Sequence, residues 1–286
     1  MTKNSRSLPD YTFGCEIECF GPTSQYEIRD ALVNAGLRAM RESDRGYGVY
    51  DNEIWAVGSD CSIDAPGSAR AFEIKSPILK GIEGLRAIRK ACAVFRGLNL
   101  NVNKTCGLHV HVGIKNAANQ FQVDEILEIL RRYNDHKSKI DLLLAKSRRS
   151  GENEFCVDVD EAIESIEAAI EDNGDYLSLN DLSGYGEHYD AVSVEALSKY
   201  GTLEFRQHHG TVSGKKITNW IKFLLNHVEM ARKIVKAKKT PAKKAWKPDD
   251  IFNGQPKAVR KHFMEQAKRI NGESFRPDLV ISSHLV

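Results

Sequence analysis

In Phe13-Gly14-Cys15-Glu16-Ile17-Glu18-Cys19 the odd positions are apolar and the even face presents Glu16 and Glu18. On a β-strand, side chains two apart share a face at about 7 Å. Two carboxylates so placed repel, and a cation between them relieves the cost. His109 and His111 repeat the spacing in Gly107–Gly113: Leu108, Val110 and Val112 make one face, and the imidazoles share the other with Gly113. Paired imidazoles on a strand can converge on a metal, and flanking glycines let a ligand or backbone come close. In Thr202–His209, Glu204, Arg206 and His208 oppose Leu203 and Phe205. Glu204 could ligate a metal, and Arg206 could hold a phosphate or carboxylate bidentately. Glu73 lies between Phe72 and Ile74, just before Lys75-Ser76-Pro77, while Asp60 and Ser62 close a stretch that begins at Trp55.

Taken singly, each pattern also fits a strand with one wet face, and Glu204–Arg206 fits a simple ion pair. Together they ask four or five strands to turn Glu, His and Arg to one side. Paired in one antiparallel sheet, those strands would gather Glu16, Glu18, Glu73, Glu204, His109 and Arg206 into a concave site. Oxygen-rich ligands with one or two imidazoles suit Mg²⁺ or Mn²⁺. An arginine beside such ions suggests a phosphate-bearing substrate, ATP being the commonest. Neither a Gly-x4-Gly-Lys-Ser/Thr loop nor a Gly-x-Gly-x-x-Gly after a strand is present, so ATP would rest on metals and arginines instead of a glycine loop.

The elements that must position these groups follow from periodicity. Strands are expected over Thr12–Phe20, Arg38–Glu42, Glu53–Gly58, Ala71–Ser76, Leu108–Ile114 and Gly201–His209. Ser24 and Glu27 make a capping box that opens a helix, which Gly36 can close. Further helices are expected over Ile82–Arg96, Val123–Ala145, Asp160–Asp172, Lys216–Lys236 and Pro256–Ile270. The fold class is therefore α+β. A natural boundary near residue 235 separates a main region, 1–235, from a basic linker and helical extension, 236–286.

The 286 residues carry 41 Lys+Arg against 39 Asp+Glu, a net charge of +2. That balance argues against a generally cationic nucleic-acid binder. Arg232–Lys247 does hold eight basic residues and no acid, which fits a solvated helix end and linker or a polyanion patch. No apolar run approaches the roughly 18 residues of a membrane span, and the first residues show no apolar signal core, so a cytoplasmic protein is expected. The six cysteines include no Cys-x-x-Cys pair, and reduced thiols are expected.

FGCEIECFGP, WAVGSDCSI followed by FEIKSP, TCGLHVHVG, and YDAVSVEAL with YGTLEFRQHHGT and ITNWIKFLLNHVEMA resemble, in that order, the successive signatures of the amidoligase family. This is a branch of the carboxylate–amine ligase superfamily that includes glutamine synthetase and glutamate–cysteine ligase. The likeness runs from about Phe13 to Arg232. It implies a glutamine synthetase-like catalytic fold: a curved antiparallel sheet binding metals and ATP on its concave face, with helices on the convex face. It also implies ATP-dependent amide formation between a carboxylate and an amine, at a Mg²⁺ or Mn²⁺ site. By the resemblance, Glu16, Glu18, Glu73, His109 and Glu204 are metal ligands, and Arg206 contacts the γ-phosphate or the acyl phosphate. Asp60, His111 and Arg148 or Arg149 are assigned to substrate or phosphate binding. The substrates would be an amino acid, a peptide or a modified small molecule, without a membrane partner; nucleic acid is not favoured and the oligomeric state is open. The rival readings are a metal-dependent hydrolase and an inactive member that serves as a nucleic-acid or protein binding module.

Overall fold

Alternation of apolar and polar residues dictates the strand that organises the site. β1 spans Thr12–Gly21 and buries Phe13, Cys15, Ile17 and Cys19. The computed structural model describes residues 8–44, 53–114, 121–150, 153–173, 176–239 and 250–281. The chain divides into two compact units. The first comprises residues 10–111 and 208–221, and the second residues 8–9, 112–207 and 222–281 among those described. The fold is mixed α+β, with an open and mostly antiparallel sheet.

In the first unit β1 is followed by α1 (Gln25–Asn34), β2 (Ala39–Arg41), β3 (Trp55–Ser59), β4 (Arg70–Lys75), β5 (Leu79–Lys80), α2 (Gly81–Gly97) and β6 (Gly107–Gly113, through His111). The strand order is β2-β3-β4-β1-β6, with β5 pairing the start of β1. The β2–β3 pair is parallel, whereas β3–β4 and β1–β4 are antiparallel. Register sets Glu18 opposite Glu73, Glu16 opposite Lys75, and Gly58 opposite Glu73 on the other side. The capping box forms as the sequence requires: the Glu27 N–H donates to Ser24 Oγ at 3.3 Å and the Ser24 N–H to Glu27 Oε2 at 2.8 Å. Just past the Ala35 cap of α1, Gly36 turns the chain with a left-handed φ of +74°, which favours glycine. Ile28 and Leu32 of α1 are buried, as are Leu85, Ile88, Cys92 and Phe95 of α2. Trp55 meets Phe95 edge-on at 6.3 Å.

The second unit holds α3 (Val123–Asp135), α4 (Lys137–Asp141), α5 (Asp160–Asn173), β7 (Val192–Ser193), α6 (Ala196–Tyr200), β8 (Thr202–His209, through Gln207), α7 (Gly214–Lys238, from Lys222), α8 (Lys257–Asn271) and α9 (Pro277–Val280). The single helix expected over Val123–Ala145 is broken at His136. Its backbone turns to φ −103°, ψ 4°, its N–H goes to the Tyr133 carbonyl three residues back, and its Nδ1 bonds the Arg132 carbonyl at 2.7 Å. Thus the imidazole takes the carbonyl that a continuing helix would satisfy with its backbone. Phe223, Phe252 and Phe263 pack at centroid distances of 5.5–6.3 Å. Beneath β8, Tyr133 donates to Gln207 Oε1 at 2.9 Å, and Gln207 Nε2 donates to Asp141 at 2.7 Å.

The basic segment begins on α7, where its residues meet acids: Arg232 reaches Glu125 at 3.0 Å, Lys238 Glu128 at 2.8 Å and Lys239 Asp124 at 2.6 Å. Residues 240–247 of that segment, and the apolar tail beyond Ile281, lie outside the described residues. All six cysteines are free thiols, Cys61 exposed and the others buried. Among the described residues, no helix is long and apolar enough to cross a membrane.

Candidate metal centre

Three neighbouring strands of the first unit bring five of the sequence-predicted residues together. β1 supplies Glu16 and Glu18, β4 supplies Glu73, and β6 supplies His109 and His111. The imidazole of His109 stands between two carboxylates, with Nδ1 3.3 Å from Glu16 Oε2 and Nε2 3.3 Å from Glu18 Oε1. His111 Nε2 is 3.7 Å from Glu16 Oε1. Glu18 also accepts the Gly107 N–H at 2.6 Å, so two groups of β6 hold the carboxylate.

The electrostatics are those of crowded carboxylates in a poorly solvated place. Burial works to raise the Glu16 carboxyl, but the two histidines outweigh it and hold it well below the usual range. Burial, with the charge of Glu16, pushes Glu73 up to about 8 even though Lys75 pulls it down. Glu18 and Glu73 are register partners, and like charges directly opposite on a sheet repel.

The donor set tests whether a divalent ion fits. One ligating atom from each of Glu18, Glu73 and His109 lies within 4.8 Å of the other two. Two hard carboxylate oxygens and an imidazole nitrogen so grouped are compatible with Mg²⁺ or Mn²⁺. These residues fit the ion.

The remaining predicted residues lie apart from that cluster or in the second unit. Asp60 follows β3 and accepts from the Ser62 N–H at 2.8 Å and the Ser62 hydroxyl at 2.6 Å. It borders an open cleft of about 690 Å³, lined also by Tyr26, Arg41, Arg70 and Ala71. Ala71, which lines the cleft, and Glu73 of the carboxylate cluster lie two residues apart on one face of β4. In the second unit, Glu204 and Arg206 are buried and form an ion pair with each other. The Arg206 guanidinium lies 5.9 Å from the Tyr189 ring. Arg148 and Arg149 diverge: Arg148 is buried, whereas Arg149 bonds Asn271 at 2.7 Å and the Leu144 carbonyl.

Two residues of the cluster were not picked out from the sequence. Lys75 Nζ lies 2.8 Å from Glu73 and 3.1 Å from Glu42. Lys75 carried a readable signal, since it follows Glu73 by two residues on a strand. Glu42 carried none, because it reaches the cluster only through the pairing of β2 with β3.

No curated protein matches the chain. Over residues 9–228 the sequence matches the family described as "Putative amidoligase enzyme". That match spans most of the 286 residues and includes every strand and both histidines of the carboxylate cluster, and on this ground the chain belongs to the amidoligase family.

Proposed function

We propose that the protein is an ATP-dependent carboxylate–amine ligase that forms an amide or peptide-like bond through an acyl phosphate. The observation that carries this reading is the convergence of Glu16, Glu18, Glu73 and His109 on adjoining strands, in a chain of the amidoligase family. A glutamine synthetase-like arrangement, with helices on the convex side of a curved sheet, belongs to the same proposal. So do a catalytic region over 1–235, a C-terminal extension over 236–286, and action in the cytoplasm.

A free carboxylate resists an amine because of its charge and resonance, and phosphorylation by ATP converts it into an acyl phosphate with a good leaving group. Glu16, Glu18, Glu73 and His109 would hold Mg²⁺ or Mn²⁺, which would supply positive charge to offset that of the transferred phosphate. The family resemblance assigns Glu204 as a further ligand and Arg206 as the group that steadies the transferred phosphoryl. It also offers His111 and Arg148 or Arg149 for phosphate or substrate. Asp60 would take the proton that the attacking amine must lose. Ala71 of its cleft is two residues from Glu73 on β4, which supports placing the amine near the cluster.

The test is ADP release from ATP with Mg²⁺ or Mn²⁺, across pooled amino acids, amines and peptides, with Glu16→Ala as control. ADP that appears only with a particular acid and amine, and disappears in the variant, is the expected result. Product formation without ADP would replace the ligase with the hydrolase. Absence of ATP binding, together with salt-sensitive nucleic-acid binding, would favour the binding module.

A further inference from the structure

Lys75 sits where a cation belongs. It occupies β4, the strand between β1 and β3, opposite Glu16 on one side and Ala56 on the other. Its ammonium touches Glu73 at 2.8 Å and Glu42 at 3.1 Å. The ammonium is therefore held against two carboxylates, with Glu16 as its register partner on β1.

The sheet is shaped to permit this. Gly58 faces Glu73 across the β3–β4 pair. A Cβ at position 58 would lie 2.3 Å from Glu42 Oε2 and 2.9 Å from its Cδ. Glu42 follows β2, which pairs with β3, and only a bare strand position lets its carboxylate lie down against the sheet there. Three features combine: a lysine on a central strand, a carboxylate brought in from a neighbouring segment, and a glycine that leaves room for it. An ordinary surface ion pair needs none of them.

We propose that Lys75 is a built-in counter-ion that fills the cation position between Glu73 and Glu42, so that the centre takes one divalent ion fewer than its carboxylates would otherwise hold. This rests on the metal reading given above. A tethered ammonium competes well because its effective concentration is high and fixed. It differs from a metal in reach, since its oxygens stand near 3 Å where Mg²⁺ or Mn²⁺ draws ligands to about 2.1 Å. Glu42 is then a positioning residue for Lys75 and, once the lysine charge is removed, a ligand.

The experiment counts Mn²⁺ bound per chain, by the electron paramagnetic resonance of free Mn²⁺, with thermal melts to verify folding. Lys75→Met should bind one more Mn²⁺ than the unaltered protein, and Lys75→Gln serves as a second neutral variant should the first fail to fold. Lys75→Arg, which keeps the charge, should match the unaltered count. The pair Lys75→Met with Glu42→Gln should lose the added ion or bind it about tenfold more weakly. Equal counts and affinities in the unaltered protein and both neutral variants would overturn the assignment while leaving the metal centre standing. If the unaltered protein bound no Mn²⁺ but Lys75→Met bound one, the metal-centre reading would fall and the role of Lys75 would hold. No binding in either protein would remove both.

Discussion

Polar groups are buried against strands in both units, yet the outcomes differ. In the second unit, Tyr133 donates to Gln207 and Gln207 donates to Asp141, whose carboxylate also accepts the Ser150 N–H at 3.1 Å. Each donor has its acceptor and one charge is spread over several dipoles, as buried polar groups require. In the first unit, Glu16, Glu18, Glu73 and Glu42 crowd around two histidines and one lysine. The carboxylates outnumber the fixed cation, and the register sets two of them face to face. One network is closed by the chain itself. The other crowds carboxylates together, and one of them, Glu73, is pushed up to about 8 by burial and the charge of Glu16, which separates a scaffold from a site.

The sharpest way to break that contrast is Glu18→Gln. The amide oxygen can still accept the Gly107 N–H, so the fold should survive, while a charged ligand is lost. Mn²⁺ affinity should fall by about 100-fold or more, at least the loss expected from altering the surroundings of a metal ligand. Any amide-forming activity should fall with it, and the melting temperature measured without metal should stay the same or rise. A large drop in that melting temperature with Mn²⁺ binding intact would make the cluster structural.

The next effect belongs to the scaffold and is read through pH. His136 is buried beside Arg132, and its pKa is lowered from 6.5 to about 4, first by burial and then by the Arg132 charge. A group depressed on folding contributes stability that is complete above its unfolded pKa and is lost as pH falls toward its folded one. The contribution should therefore be full above pH 6.5 and drain away toward pH 4. It amounts to something on the order of 3 kcal/mol by the usual conversion. His136→Phe should flatten that part of the stability profile in denaturant titrations and leave Mn²⁺ affinity at pH 7.5 unchanged. A profile as steep as that of the unaltered protein would assign the slope to other groups.

Elements with a full period were legible in the sequence. β1 shows it in the burial of Phe13, Cys15, Ile17 and Cys19, and α1 in a cap that forms between the two residues whose spacing announced it. The break at His136 was not legible, because it depends on a side chain competing for the Arg132 carbonyl inside an otherwise unbroken apolar period. β5, β7, α6 and α9 have two to five residues, too few to show a period. In the carboxylate cluster, alternation gave the face of each strand but not the register between strands. That is why Glu16, Glu18 and His109 could be singled out while Glu42, which depends on Gly58 lying opposite Glu73, could not.

Tyr133→Phe probes the closed network directly. It deletes the donor to Gln207 Oε1 and leaves the ring packed 5.7 Å from Phe205 and 5.6 Å from His227. An unsatisfied buried acceptor costs ~1–3 kcal/mol, so the denaturation midpoint should drop accordingly, with Mn²⁺ affinity unchanged.

The smallest effect falls in the same unit as the carboxylates and sharpens the comparison from that side. Ser24→Ala removes the hydroxyl that accepts the Glu27 N–H, a cap worth ~1 kcal/mol in comparable helices. Ser24 lies at the start of α1 and makes none of the bonds that hold Glu16, Glu18, Glu73 or His109. Those four are held by β1, β4 and β6, so loosening α1 should lower the melting temperature by a few degrees and leave Mn²⁺ affinity within about twofold. If affinity fell in step with stability, the ligands would owe their positions to the helix as much as to the strands. The division between a self-satisfied scaffold and a carboxylate-crowded site would then fail inside the unit where it matters most.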